Sequence, residues 1–156
     1  MILASTVAPD ATLAPMMPVH LRGHHFLCIL TYRGEGYTPD FVRNMSEIVA
    51  QIRSGAPVTL TDGPDMICAG LTAGCRIAVD HDCHKAEIAT LDRMAEAAVA
   101  GILGRDLRAA RELRADEIDL LRGEFRRGSI RAACVDCSWK PLCDGIVADD
   151  FAGTRL

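Results

Sequence analysis

Ten residues near the C-terminus, Cys134-Val-Asp-Cys137-Ser-Trp-Lys-Pro-Leu-Cys143, constrain this chain more than any other feature. A C-x2-C pair closes into a tight turn that brings two thiols together, and the C-x5-C spacing adds a third. The run offers three thiolates to one metal or cluster, and one more ligand from elsewhere would complete a four-cysteine iron–sulfur or zinc site. A chain carrying such a site folds around it, because metal binding becomes part of the folding energy. The competing reading of C-x2-C is a redox dithiol. That reading calls for a strand before the pair and a helix after it, and Pro141 argues against a long helix here.

The chain holds seven cysteines in 156 residues. An odd number cannot all pair within one chain, and a reducing compartment disfavours structural disulfides. One or two isolated cysteines would read as small buried hydrophobes, but these cluster. The expected setting is the cytoplasm. Met1 to Pro18 contains Asp10 and neither Lys nor Arg, and no continuous apolar stretch of the kind a secretory signal needs. No segment approaches the ~20 apolar residues of a membrane-spanning helix. The net charge of −4 gives no electrostatic reason to expect nucleic acid or an anionic membrane as partner. Residues 1–18 therefore read as a flexible arm, and 19–156 as a single cysteine-rich metal-binding domain.

A second group, Cys68, Cys75 and Cys83, has the looser spacing C-x6-C-x7-C, with His81 and His84 flanking its last member. Three cysteines and one histidine would make a metal site. Cys28 stands alone in the apolar stretch Phe26 to Leu30 and is the candidate fourth ligand for one of the trios, the compact C-terminal one first; the middle trio would then take His84 or His81, or remain open. His24 and His25, being adjacent, point in different directions in strand or helix, so at most one is expected to face a given site. Arg22 would pair with an anionic cluster, a substrate carboxylate or a surface acid.

The expected fold is a small, mainly α, irregular domain with long metal-pinned loops and room for one short strand pair. Thr38-Pro39-Asp40 opens the clearest helix, over residues 39–54, with Thr38 as N-cap and Pro39 in its first turn. Phe41, Met45, Ile48, Val49 and Ile52 form its apolar stripe. Further helices are expected over 85–100, with Ile88, Leu91, Met94, Ala95 and Val99 inward, and over 105–127, with Leu107, Ala110, Ile118, Leu121 and Phe125 inward. Phe26 to Leu30 fits a strand or a helix start, Pro57 to Thr61 fits a short strand, and the tail from Ala132 reads as irregular.

With these motifs in place, the chain resembles a family of small bacterial and archaeal proteins of unknown function predicted to bind iron and sulfur, domain of unknown function 1284. The resemblance runs from Leu21 to Cys143. It rests on Arg22-Gly-His-His-Phe-Leu-Cys28, on Gly36-Tyr-Thr-Pro-Asp-Phe-Val42, on Asp62-Gly-Pro-Asp-Met-Ile-Cys68, and on Cys134, Cys137, Trp139 and Cys143. The family pattern carries a second cysteine three residues after the position of Cys68, where this chain has Leu71; Cys75 would take its place after a small insertion, with Cys83 as the third.

The functional expectation is an iron–sulfur protein holding one or two clusters, of the 4Fe-4S type, that serves electron transfer or regulation alongside a redox-partner protein. One alternative is an enzyme with an open cluster site, where His25 and Arg22 meet the substrate. Another is a structural zinc-binding interaction module. No Gly-rich phosphate loop, G-x-S-x-G elbow or H-E-x-x-H helix points to nucleotide, acyl or zinc-protease chemistry.

Overall fold

The structure, a computed structural model, describes residues 14–72 and 81–156. Residues 1–13 of the expected arm, and Cys75 with its neighbours from 73 to 80, lie outside the described residues. The elements run β1 (Val19–Leu21), α1 (Gly23–Thr31), α2 (Pro39–Arg53), β2 (Val58–Leu60), a 3₁₀ turn (Cys68–Gly70), α3 (Ala86–Leu103), α4 (Ala115–Arg127), a second 3₁₀ turn (Ala132–Cys134) and α5 (Lys140–Ala148). The fold is mainly helical, with one two-stranded sheet. β1 and β2 pair in parallel, Val19 opposite Val58 and Leu21 opposite Leu60. Parallel neighbours need a crossover, and here α1 and α2 supply it.

The Phe26–Leu30 stretch is helical. Phe26, Leu27, Ile29 and Leu30 are buried, which leaves Cys28 half-buried on the remaining face of α1. Asp65 accepts the Arg22 N–H at 2.7 Å and Asp92 accepts the His24 N–H at 3.1 Å, so remote carboxylates do the work of an N-cap. Gly23, in the first turn, lies against α3 so closely that a Cβ there would sit 2.0 Å from the Asp92 carbonyl oxygen. Only glycine allows that approach.

Helix α2 starts as its sequence dictates, with the Thr38 hydroxyl accepting the Phe41 N–H at 3.1 Å, and buries all five residues of its stripe. The 105–127 helix requires correction. Gly104 closes α3 in the left-handed region at φ 63°, and residues 105–114 then form a turn-bearing connection that passes beside β2 and bridges to it at Arg111. Leu60 N–H donates to the Leu107 carbonyl at 2.9 Å, and Val58 and Arg111 exchange two bonds. The free edge of β2 outweighs the helix propensity of Arg, Ala and Glu, which is only a few tenths of a kcal/mol per residue. Leu107 still reaches the core, whereas Ala110 is exposed. Met94, expected inward on α3, is 40% exposed; buried Asp92 occupies that face with Ala95 and Val99.

The tail is more regular than expected. Pro141 sits within the first turn of α5, where its missing N–H costs nothing. Phe151 packs edge-on to Phe125 at 6.3 Å, and Arg155 N–H donates to the Tyr32 carbonyl at 2.9 Å, which fastens the C-terminus to the end of α1. Among the described residues, no helix is long and apolar enough to cross a membrane.

Candidate metal centre

A cavity of about 130 Å³ opens between α1, the Asp65–Cys68 turn and the C-terminal segment. Cys28, Cys68, Cys83, Cys134, Cys137 and Cys143 all line it, and all are free thiols. Cysteines more than a hundred residues apart in sequence thus share one space.

The C-terminal wall is built by consecutive turns. Cys134 N–H donates to Arg131 O at 2.9 Å, Cys137 N–H to Cys134 O at 3.2 Å, and Cys143 N–H to Trp139 O at 3.0 Å. Cys28 enters from α1, opposite this trio. Burial pushes its thiol well above the ordinary range, and the nearby thiols of Cys137, Cys143 and Cys134 push it further. Cys134 and Cys143 are raised as well, by burial first; the Arg131 guanidinium pulls both the other way, and the Thr31 hydroxyl, 3.4 Å from Cys143 Sγ, also pulls that thiol down. Buried thiols that disfavour one another's ionisation are what a shared cation relieves, since a coordinating thiol is deprotonated outright.

Arg131 itself is incompletely matched. Its Nη1 pairs with Asp144 at 2.7 Å and its guanidinium lies 4.4 Å from the Phe125 ring centroid. Nε and Nη2 are buried with no acceptor, the only such side-chain atoms among the described residues. Tyr37 and Trp139 close the outer side, edge to face at 5.1 Å, with His81 tilted against Tyr37 at 4.8 Å.

The opposite wall is densely bonded. His24 and His25 both line the cavity, contrary to the expectation that at most one would; their ring centroids are 4.3 Å apart. Each is pinned by its own carboxylate, His24 Nδ1 to Asp92 at 2.6 Å and His25 Nδ1 to Asp65 at 2.7 Å. Burial draws the His24 pKa below its usual value even with Asp92 adjacent. A nitrogen of His25, an oxygen of Asp65 and Cys68 Sγ lie within 4.8 Å of one another, close enough to hold a metal ion. Burial, then the Asp65 carboxylate, push Cys68 up to about 12. Cys83, also buried, lines the same wall. His84 is exposed and does not line the cavity.

Arg22 is neither on the surface nor in the cavity. It is 2% exposed, and its guanidinium donates to Asp92 at 2.9 Å, to the Cys83 carbonyl at 2.8 Å and to Cys68 Sγ at 3.9 Å. It ties the second wall together, and its donors are not turned to a substrate. Sequence reasoning missed Asp65, Asp92 and Arg131. Asp65 had a signal: an aspartate two and three residues before Ile67 and Cys68 accepts both their N–H groups, at 2.9 and 3.0 Å. Asp92 had one too, as a lone charge in the helical series Ile88, Asp92, Ala95, Val99.

No curated protein and no solved structure matches the chain. The family model that does match spans both walls except α1, taking in Asp65, Cys68, Cys83, Asp92, Arg131 and the C-terminal trio. The match covers residues 36–143, and on it the chain belongs to the family described as protein of unknown function DUF1284.

Proposed function

We propose that this chain is an iron–sulfur protein in which Cys28, Cys134, Cys137 and Cys143 hold one cubane cluster, and that it serves electron transfer or redox regulation. The observation that carries the reading is the convergence of Cys28 with the C-terminal trio, its exposed member Cys137 included, on one cavity. The residues present fit such a group on a second count. Arg131 brings two buried N–H groups without acceptors to the wall that holds Cys134 and Cys143. Cluster sulfides and the thiolates that hold them accept hydrogen bonds of this kind.

When bound, a cluster supplies one-electron chemistry at a potential set by charge, hydrogen bonds and exposure. The chain's own residues set those terms. Arg131 places positive charge beside the thiolates, Leu27, Ile146 and Phe125 keep the lining apolar, and Tyr37 and Trp139 limit water.

Anaerobically purified protein is expected to be brown, with about four iron and four sulfide per chain from this site. Cys28→Ala should abolish the visible spectrum. A colourless protein carrying zinc on the C-terminal cysteines would overturn the proposal. So would a Cys28→Ala protein with unchanged spectrum and iron.

A further inference from the structure

We infer that the wall opposite Cys134 is a second, mononuclear metal centre, in which the thiolates of Cys68 and Cys83 and Nε2 of His25 bind a divalent cation of the zinc class. It shares the cavity with the proposed cluster but none of its ligands, so it does not rest on that reading.

The ligand set follows from which groups are already satisfied. An ionised carboxylate has about four acceptor positions. Those of Asp65 are filled: Oδ2 takes Arg22 N–H and His25 Nδ1, each at 2.7 Å, and Oδ1 takes the N–H groups of Ile67 and Cys68. Asp65 therefore stands beside the metal position without ligating it. A carboxylate can only accept, so His25 Nδ1 carries the proton and the lone pair of the neutral ring sits on Nε2. An imidazole whose far nitrogen is fixed by a carboxylate is the usual arrangement of a metal-bound histidine. Asp65 also holds the Cys68 backbone, so one buried side chain positions two ligands.

Cys83 joins because the Arg22 guanidinium reaches both Cys68 Sγ at 3.9 Å and the Cys83 carbonyl at 2.8 Å, and both cysteines line the cavity beside His25. Arg22 is balanced by Asp92 at 2.9 Å and two thiolates balance a divalent cation, so the loaded wall keeps only the single negative charge of Asp65. Two sulfurs and one imidazole nitrogen are three ligands of a tetrahedron. The fourth position is open toward the cavity that His25, Cys68 and Cys83 all line, the pattern of zinc sites that bind water or a small Lewis-basic ligand.

The test is cobalt(II) titration of the full apo chain, read by thiolate-to-cobalt absorption, with iron and zinc contents of the anaerobically purified protein alongside. Cys137→Ser should retain about one tightly bound cobalt with tetrahedral visible bands, by the one-metal count of a three-ligand site. Cys68→Ser and Cys83→Ser should lose that cobalt and keep the iron of the four-cysteine site. Asp65→Asn should weaken cobalt binding about 10–100-fold, the usual effect of removing an orienting partner. Circular dichroism establishes that each variant is folded. A cobalt stoichiometry in folded Cys68→Ser and Cys83→Ser equal to that of wild type would overturn the inference, as would the absence of bound cobalt from folded Cys137→Ser. If the cluster reading alone fails, the purified wild type carries no iron while folded Cys137→Ser still takes its one cobalt.

Discussion

Away from the cavity, half-buried Arg105 and buried Glu117 form a pair that satisfies itself. Arg105 Nε donates to Glu117 Oε1 at 2.9 Å, and Oε2 accepts the Arg114 N–H at 3.0 Å, which caps α4. Around the cavity the balance is different. Thiols raise one another's pKa values there, and Arg131 keeps two buried donors without acceptors. A buried charge is costly unless paired, and a polar group unless hydrogen-bonded. The far side is thus matched internally, whereas the C-terminal wall keeps unmatched donors of the kind the proposed cluster would meet.

The strongest way to break this contrast is to remove metal. Structural zinc in small domains contributes an apparent binding energy of about 10–16 kcal/mol. Chelation should therefore sharply raise hydrogen exchange across 132–148 while α2 and α4 stay protected. Uniform protection before and after chelation would erase the distinction between the two regions.

Glu117→Ala probes the opposite side. Leaving half-buried Arg105 without its partner should cost about 1–3 kcal/mol in denaturant unfolding, with metal content unchanged. Burial alone would raise the Glu117 carboxyl, but Arg105 and the Arg114 N–H hold it below its usual value. A depressed carboxylate pKa contributes stability that is full above the unfolded value, about 4.3, and is lost as pH falls through the folded one. Glu117→Gln should flatten that part of the acid limb; an unaltered limb would show that the pair contributes nothing.

Gly23→Ala couples the two regions. A methyl group driven against the Asp92 carbonyl must displace α1 from α3, at about 1–3 kcal/mol or more for an overpacked site. Because α1 carries Cys28 and His25, metal content should fall along with stability; a loss of stability alone would detach α1 from the centre.

The smallest stability effect is expected from Arg131→Met. Replacing a buried, poorly matched charge by an apolar chain of similar length should leave apo stability within about 1 kcal/mol of wild type. The reduction potential of the loaded protein should move negative, because hydrogen bonds to cluster sulfurs favour the reduced state. An unmoved potential would mean that the orphaned N–H groups do not face the cluster.

Much of the helical frame was legible locally. Thr38, Pro39 and the stripe from Phe41 to Ile52 specify α2 through short-range capping and a period of 3.6, and the structure follows them residue by residue. Residues 105–114 misled because their helix propensity was read without the strand edge they meet. Pro141 misled because a proline that ends one helix can open another.

Cysteine spacing by itself determined that Cys134, Cys137 and Cys143 would fall close together, on consecutive turns, since turn geometry acts over a few residues. Only the tertiary structure decided what stands opposite them. Cys28 arrives because Gly23 lets α1 press against α3. Two adjacent histidines reach one cavity because Asp65 and Asp92, 40 and 68 residues away, each take one ring. Arg22 leaves the surface because Asp92 and the Cys83 carbonyl satisfy it inside. Those partnerships are non-local, and hydrogen bonds to distant carboxylates leave no period or spacing in a sequence from which they can be read.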